Sequence, residues 1–235
     1  MLELERLKQV SQWYDNQQGV SYHINKHAAK RIIEHAVEGV GLELGCGSGV
    51  MTRDLAAHFN YLHVVEGAEK YVEQVRNLHL KNVKVFHSLF ENFSSTDVYD
   101  SIIMAWVLEH IENPKKLLLK VRDLLAPEGR VYIAVPNAES IHRHIGVSMG
   151  IISSLDKLSE NDIAVGHRRV FTWKSLERVI HSAGFIIESK EGILIKPLPS
   201  KVIDTWDEEL VEAFLSAHSL APRLCSEIFF VCKGI

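Results

Sequence analysis

Three glycines in alternation are the feature of this sequence whose spacing says most about chemistry. Gly45, Gly47 and Gly49 follow directly after a short apolar run, Val40–Leu44, and a helix-like segment, Val50–Phe59, comes next. An order of strand, glycine turn and helix lets backbone N–H groups and a helix N-terminus approach a ligand closely. The pattern therefore predicts a ligand-binding loop at the end of a strand.

The residues around the turn argue against a dinucleotide as this ligand. The dinucleotide fingerprint G-x-G-x-x-G requires a glycine at its sixth position, where this sequence has Val50. Glu43, two residues before Gly45, would repel a pyrophosphate. The same carboxylate would attract a cation or accept hydrogen bonds from amino or hydroxyl groups. We therefore expect a ligand that carries such groups.

The composition predicts an ordinary soluble protein with a single domain. The chain has 235 residues, of which 46% are hydrophobic and 24% are charged. A net charge of −4 without long runs of like charge argues against a nucleic-acid-binding surface. No apolar stretch is long enough to span a bilayer. Neither a nucleic acid nor a membrane is therefore expected as a partner.

The cysteines indicate a reducing compartment. Cys46, Cys225 and Cys232 do not have the spacing of metal ligands, and the N-terminus has no secretory signal. Reduced thiols of this kind are typical of a cytoplasmic protein. No metal site is predicted.

The elements that must position the glycine turn alternate between strands and helices. The candidate strands are Val40–Leu44, Tyr61–Glu66, Val83–Phe86, Ser101–Ala105 and Arg130–Val135. The candidate helices between them are Val50–His58, Glu69–Leu80 and Pro114–Leu125. The last begins with Asn113 as a cap and Pro114 in its first turn. Alternation of this length implies a parallel sheet with helices on both faces.

The two ends of the chain depart from this alternation. The stretch 2–37 has apolar residues at helical spacing. The later elements are predicted to be a helix over Thr172–Ala183, a β-rich pair over Phe185–Ser189 and Ile193–Lys196, a helix over Asp204–His218 and a strand over Glu227–Lys233. Two insertions, 137–170 and 197–225, follow late strands. We expect them to form a small cap at the carboxyl edge of the sheet, where such folds bind ligands.

Four motifs now follow one another in a recognisable order. They are Glu43–Gly49 (ELGCGSG), Val64–Glu66 (VVE), Tyr99–Ile111 (YDSIIMAWVLEHI) and Leu124–Val131 (LLAPEGRV). Together they resemble the class I S-adenosylmethionine (SAM)-dependent methyltransferases, particularly the branch acting on small molecules such as quinone precursors and sugars. The resemblance covers about residues 40–136. It implies one doubly wound, Rossmann-like domain over 1–235, with a seven-stranded, mostly parallel sheet, an antiparallel last strand, an N-terminal helical segment over 1–39 and the helical cap.

The resemblance also implies the cofactor, SAM, its product S-adenosylhomocysteine (SAH), and the residues that hold them. The implied cofactor-binding residues are Tyr14, Glu43, Gly45, Cys46, Gly47, Gly49, Glu66, Gly67, Leu89, Phe90, Ala105 and Trp106. The glycine turn would pass the methionyl part, Glu43 would face the amino group, and Glu66 would accept both ribose hydroxyls. Leu89 and Phe90 would lie beside the adenine, although the family often has an acid where this chain has Ser88.

Methyl transfer from a sulfonium is an in-line displacement, to which an enzyme contributes mainly proximity and alignment. An oxygen or nitrogen acceptor also has to lose a proton near neutral pH, a task that suits histidine. His110, just past the fourth strand, and His167, in the cap, are the candidate catalytic residues. Arg168 or Arg169 would bind an anionic group of the acceptor.

The sequence leaves several alternatives open. The preferred function is methyl transfer to oxygen or nitrogen of a small-molecule acceptor. Protein or RNA methylation and a non-catalytic SAM-binding role are alternatives, and a homodimer is left open. A nucleic-acid amino-methyltransferase is disfavoured, because Ala105–Leu108 stands where that group has an Asn/Asp-Pro-Pro-aromatic motif.

Overall fold

The computed structural model describes residues 3–235 and shows a single sheet with helices packed on both faces. Its strands are β1 Val40–Leu44, β2 Tyr61–Glu66, β3 Val83–His87, β4 Tyr99–Ala105, β5 Leu125–Pro136, β6 Phe185–Ile193 and β7 Glu227–Gly234. Its helices over this range are α1 Glu3–Trp13, α2 Gly19–His35, α3 Val50–His58, α4 Glu69–Arg76, α5 Pro114–Leu124, α6 Ile141–Ser148, α7 Glu160–Ala164, α8 Trp173–Ser182, α9 Ser200–Ile203 and α10 Glu208–Ser216. Two short 3-10 helices, Ala217–Leu220 and Pro222–Leu224, precede β7.

The strand order is β3-β2-β1-β4-β5-β7-β6. The first five strands pair in parallel, whereas β7 runs antiparallel between β5 and β6. The predicted doubly wound sheet with an antiparallel last strand is therefore confirmed. The order reverses between β1 and β4, so their carboxyl ends flank the crevice in which open α/β sheets bind ligands.

The central strands are buried on both faces. Along β4, Ile103 joins one apolar cluster, which includes residues of α2 and α3, while its neighbours Ile102 and Met104 join the other, which includes residues of α5 and α8. All three side chains are fully buried. This two-sided burial explains why parallel strands have near-continuous apolar sequences. Within residues 3–235, no helix combines the length and apolar character needed to cross a membrane.

The N-terminal segment forms two helices, α1 and α2, with a break between them. Residues Tyr14 to Gln18 separate α1 from α2, and Leu2 lies outside the described residues. Gly19 starts α2 with a φ of 62°, a conformation that suits glycine. The next amide, of Val20, donates to Asp204 Oδ1 at 2.8 Å, which ties this start to the cap.

Two late predictions are wrong in their bounds. β6 is one continuous strand instead of two pieces, because a register shift between Ile187 and Ser189 lets it follow β7 along its whole length. It ends before Leu194, where a φ of 60° turns the chain out of the sheet. In the predicted helix over 204–218, α10 starts only at Glu208, because the backbone of Asp207 is extended, and a 3-10 helix begins at Ala217.

Smaller differences concern element ends. α4 stops at Arg76 instead of Leu80, because the chain turns through His79, whose φ is 52°. β5 begins at Leu125, five residues earlier than predicted, and its pairing with β4 is irregular near Tyr99. None of these differences changes which elements border the crevice.

Candidate active site

A cavity of about 910 Å³ opens at the carboxyl ends of the parallel strands. Its walls include the glycine turn after β1, the ends of β2 and β4, the start of α1 and parts of both cap insertions. Twelve of the fourteen predicted site residues line it: Tyr14, Gly45, Cys46, Gly47, Glu66, Gly67, Leu89, Phe90, Ala105, Trp106, His110 and His167. The crevice expected from topology is thus the place where the predicted residues meet.

The glycine turn has a backbone that favours glycine. Gly45, Gly47 and Gly49 have φ values of 80°, 51° and 83°. The amide of Gly45 donates to Val65 O at 2.9 Å, which fixes the turn against β2. Gly49 precedes α3, and a Cβ there would lie 2.9 Å from Val75 Cγ2. Gly49 is therefore required for helix packing, and it does not line the cavity.

Glu43 lies beneath the turn instead of on the cavity wall. Its side chain is fully buried in β1, where Oε2 accepts a hydrogen bond from the Thr52 hydroxyl at 2.7 Å. Burial raises the pKa of Glu43 to about 8, despite the bond from Thr52. The structure therefore gives Glu43 a role in joining β1 to α3, and any effect on a ligand's amino group must pass through the turn.

Glu66 faces the cavity from the end of β2. Its Oε1 accepts a hydrogen bond from the Ala68 amide at 2.7 Å, and the Cys46 thiol lies 3.8 Å from Oε2. Burial raises the pKa of Glu66, and the surrounding backbone N–H groups oppose the rise. A carboxylate held in this way is oriented for hydroxyl donors.

The two predicted flanks of a cofactor lie on either side of Glu66. Leu89 and Phe90 follow β3, and the amide of Ser88 donates to Glu66 O at 3.0 Å. Trp106 directly follows β4 and has a φ of 56°, a strained value for a large side chain. Its indole Nε1 donates to Glu227 Oε2 at 2.9 Å. This bond and the strained backbone turn the indole toward the β7 side of the cavity.

Tyr14 reaches the cavity from the break after α1. The hydroxyl of Tyr71 donates to the Tyr14 carbonyl oxygen at 2.9 Å. Burial of the phenol, with the nearby carboxylates Glu227 and Glu109, raises the pKa of Tyr14 to about 12. The residue lines the cavity, although it is 36% exposed as a whole, and its hydroxyl stays protonated at neutral pH.

The two predicted catalytic histidines contact each other at the cap side of the cavity. The ring centroids of His110 and His167 are 4.8 Å apart. His110 Nδ1 lies 3.2 Å from Gly166 O, and His167 Nδ1 lies 3.1 Å from Asp162 Oδ1. Burial, followed by the neighbouring His167, lowers the pKa of His110 to about 3, so its imidazole is neutral.

Asp162 connects several side chains of the cap through hydrogen bonds and an ion pair. Burial alone would raise the pKa of Asp162, but hydrogen bonds from His167, Ser159 and Arg143 hold it below its usual value. The Arg143 guanidinium pairs with it at 3.0 Å, and both side chains are almost fully buried. Asp162 therefore stays ionised and orients His167, a role that the sequence did not reveal because the residue reads as an ordinary acid of a helix N-terminus.

Glu109 is a second functional candidate that sequence reasoning missed. It is fully buried, it lines the cavity beside His110, and neither carboxyl oxygen has a hydrogen-bond partner in the described structure. Burial raises the pKa of Glu109 well above its usual range, and Glu227 and Asp162 add to the shift. In the sequence, its position directly before the candidate His110 in the third motif could have indicated that it belongs to the site.

Of the remaining candidate residues in the cap, some line the cavity and others do not. Arg168 lines the cavity, and its Nε donates to His110 O at 2.8 Å. Arg169 does not line it and donates to Glu112 O at 3.1 Å. His142 lines the cavity, where burial lowers its pKa to about 3, whereas His144 is exposed.

Comparison with known proteins decides the family. The family described as "Methyltransferase domain" matches residues 18–190. This chain belongs to that family. The match confirms the resemblance to class I SAM-dependent methyltransferases that the four motifs indicated.

Among curated relatives, this methyltransferase-domain chain is 26% identical over 148 residues to a ubiquinone biosynthesis O-methyltransferase of Rickettsia felis, covering 57% of the chain and 61% of the relative. It is 30% identical over 98 residues to an (S)-coclaurine N-methyltransferase of Thalictrum flavum, covering 39% and 27%. The chain thus spans less than two thirds of the length of these two relatives.

Solved structures agree on the fold of this family member. The N-methyltransferase NodS from Bradyrhizobium japonicum, in complex with SAH, has a TM-score of 0.64 at 13% identity, covering 97% of this chain and 98% of NodS. The plantazolicin methyltransferase BpumL, also with SAH, has a TM-score of 0.64 at 19% identity, covering 97% and 90%. At such identities the likeness establishes the architecture alone.

Proposed function

We propose that this protein transfers the methyl group of SAM to an oxygen or nitrogen atom of a small-molecule acceptor. The observation that carries the proposal is the cavity itself. It brings the glycine turn and Glu66 on one side together with His110 and His167 on the other. A cofactor and an acceptor placed on these two sides would meet between them, and this proximity is the main catalytic contribution that the reaction needs.

The cofactor would lie along the β1, β2 and β4 ends. The backbone of Gly45, Cys46 and Gly47 would pass the methionyl part, since no side chain projects from the two glycines. Glu66, beside Gly67, would accept the ribose hydroxyls through charge-assisted hydrogen bonds. The remaining contacts would come from Leu89 and Phe90 at the adenine, Ala105 and Trp106 on the opposite side, and Tyr14 at the mouth. Glu43 and Gly49 would support the turn from behind.

The acceptor would occupy the cap side, where proton transfer is served by the histidine pair. His167 Nδ1 lies 3.1 Å from Oδ1 of the ionised Asp162, and this contact fixes the orientation of the imidazole. His110 is neutral, and its pKa of about 3 makes it a poor base near neutral pH. We therefore assign the proton to His167 and the positioning of the acceptor to His110. The cytoplasmic location, a role in small-molecule metabolism and a homodimer stay predictions.

Calorimetry on the purified protein tests the cofactor part. We expect SAM and SAH to bind in the micromolar range. The His167→Ala variant should bind them as the wild type does, since His167 belongs to the acceptor side. A protein that binds neither compound would refute the proposal, and loss of cofactor binding in His167→Ala would refute the assignment of the proton.

A second experiment tests turnover and the acceptor class. SAH release is measured with a panel of hydroxyl-bearing and amine-bearing small molecules, together with protein and RNA acceptors. We expect release with at least one small molecule and a loss of that release in His167→Ala. Release only with protein or RNA would favour the alternative acceptors, and binding without release from the whole panel would favour a non-catalytic SAM-binding role.

A further inference from the structure

Glu109, His110 and His167 are close enough to share one ligand. One potential metal-ligating atom from each lies within 4.8 Å of the others. The first two are neighbours at the end of β4, whereas His167 comes from the cap, so the cluster exists only in the folded chain. Two imidazoles and one carboxylate are a common ligand set for divalent transition metals.

The hydrogen bonds of both histidines fix the tautomer that a metal requires. A carbonyl oxygen only accepts, so His110 Nδ1 must donate to Gly166 O, and its neutral ring has the lone pair on Nε2. His167 Nδ1 likewise donates to the ionised Asp162, which leaves the lone pair on His167 Nε2. In protein metal sites, a ligating imidazole usually donates its other N–H to a carboxylate or a carbonyl oxygen, which fixes the orientation of the ring.

Glu109 supplies an independent observation. Buried polar groups are almost always hydrogen-bonded, yet both carboxyl oxygens of Glu109 lack a partner in the described structure. The residue is completely shielded from bulk solvent, but it borders the cavity. Both carboxyl oxygens are therefore available to a ligand, and one possible ligand atom of His110 and one of His167 lie within 4.8 Å.

We propose that Glu109, His110 and His167 form a binding site for a divalent transition-metal ion such as Zn²⁺. Magnesium and calcium fit less well, because they prefer sites made of oxygen ligands. Ligand atoms on one tetrahedral zinc lie about 3.3 Å apart, so the three must close by up to about 1.5 Å. Glu109, which no hydrogen bond restrains, is the side chain that moves.

This site deepens the proposed function, and it rests on that function only in placing the acceptor beside the histidines. Three protein ligands leave coordination positions that face the cavity. An acceptor hydroxyl or amine bound there would release its proton to solvent in the cavity more readily, because a metal ion lowers the pKa of a bound group. In the metal-loaded protein, the imidazoles would hold the ion that binds the acceptor. In the metal-free protein, His167 would itself accept the acceptor's proton.

Cobalt titration of the full-length protein, freed of any affinity tag and treated with a chelator, tests the site. We expect one Co²⁺ per chain, visible absorption bands typical of a site with nitrogen ligands, and displacement by an equivalent of Zn²⁺. The variants Glu109→Gln, His110→Gln and His167→Gln should each weaken binding by more than about tenfold. Asp162→Asn should weaken it about 10- to 100-fold, as loss of a second-shell partner does.

His144→Gln is the matched control, because His144 is exposed in the same cap and should leave cobalt binding unchanged. SAM binding, measured on each variant, shows that it is folded. Failure to bind Co²⁺ or Zn²⁺ in a wild-type protein that binds SAM would overturn the metal site and leave the methyltransferase proposal standing. Binding that survives Glu109→Gln and His167→Gln would also overturn it. An anomalous-scattering peak between the three side chains in crystals soaked with Zn²⁺ would support it without any variant.

Discussion

At the scale of single residues, the carboxylates of this cavity fall into three kinds. Glu66 is buried but held by a backbone amide and faces the cavity, Glu43 is buried behind the turn, and Glu109 is buried without a partner. The same side chain thus serves three purposes, because its surroundings decide whether it stays charged and what it can contact. The residue-scale predictions follow from these differences.

Glu66→Gln should weaken SAM binding roughly 10- to 100-fold, because a hydrogen bond to a charged group contributes about 1.5–3 kcal/mol. The glutamine keeps the size of the side chain and removes the charge. Isothermal titration calorimetry measures the affinity. The control is Glu69→Gln, since Glu69 is exposed at the start of α4 and does not line the cavity. Equal affinities in both variants would show that Glu66 does not contact the cofactor.

Glu43→Gln should become more stable relative to the wild type as the pH rises. The folded protein holds the proton of Glu43 up to a pKa of about 8, whereas the unfolded chain releases it near 4.5. Between these values the folded state binds more protons, so rising pH lowers the free energy of unfolding by up to about 1.4 kcal/mol per pH unit. The glutamine variant lacks this loss.

Urea unfolding at pH 5 and pH 8 measures that difference. The amide oxygen of the glutamine can still accept the hydrogen bond of Thr52, so the contact between β1 and α3 is kept. Glu69→Gln again serves as the control and should show no such trend. A stability difference for Glu43→Gln that does not change with pH would mean that Glu43 ionises normally in the folded protein.

The sequence predicted one half of the site better than the other. The glycine turn and Glu66 could be placed because each lies at the end of a strand, and strand order determines where strand ends meet. His110 and His167 were named as candidates from the sequence, but their contact with each other and with Glu109 could not be foreseen, because it depends on how the cap folds back. The role of Asp162, which orients His167, could not be predicted either, because it depends on how the cap folds.

At the scale of elements, α1 is a cover that polar contacts hold in place. Only Ser11 of this helix is buried. Arg6 donates to Gly166 O at 3.2 Å, and Lys70 donates to Ser11 O at 2.6 Å. A helix with so little buried apolar surface opens locally at low free-energy cost. Its half-buried Leu7 packs against one apolar cluster, and the polar contacts join the helix to α4 and to the cap.

Hydrogen exchange should show that SAH slows exchange in α1 and in the break after it. A cofactor that fills the cavity adds contacts to Tyr14 and to the inner side of α1, so local opening becomes costlier. The amides of α10, which do not border the cavity, are the internal control and should exchange at the same rate with and without SAH. Equal protection in α1 and α10 would argue for a general effect instead of a cover over the cofactor.

The accuracy of the predicted element boundaries differs between parts of the chain. β1, β2 and α3 were predicted to the residue, and the glycine turn marks the end of β1 and the start of α3. β6 was predicted as two pieces, because it lies at the sheet edge and its middle is charged. Its strand is specified by pairing with β7, a contact between distant parts of the chain.

At the scale of the whole molecule, the cavity unites elements from both ends of the chain, so ligand binding should stabilise the entire fold. At 100 times its dissociation constant, SAH should add about 2.7 kcal/mol to the free energy of unfolding. For a chain of this size that raises Tm by roughly 5–10 °C. Differential scanning calorimetry measures the shift. NAD⁺ at the same concentration should leave Tm unchanged, and a shift with NAD⁺ would restore the dinucleotide reading that Val50 argued against.

The position of β7 in the sheet has a consequence for how the protein is made. β6 has β7 as its sole neighbour in the described sheet, and β7 separates it from β5. During translation β6 is synthesised before β7. The apolar residues and backbone groups of β6 therefore stay unpaired while the segment between the two strands is synthesised. The nascent chain thus exposes an unpaired, aggregation-prone strand edge, the kind of surface that chaperones bind. The wall that carries Glu227 closes only after β7 has inserted, so the growing polypeptide has no finished cavity until then.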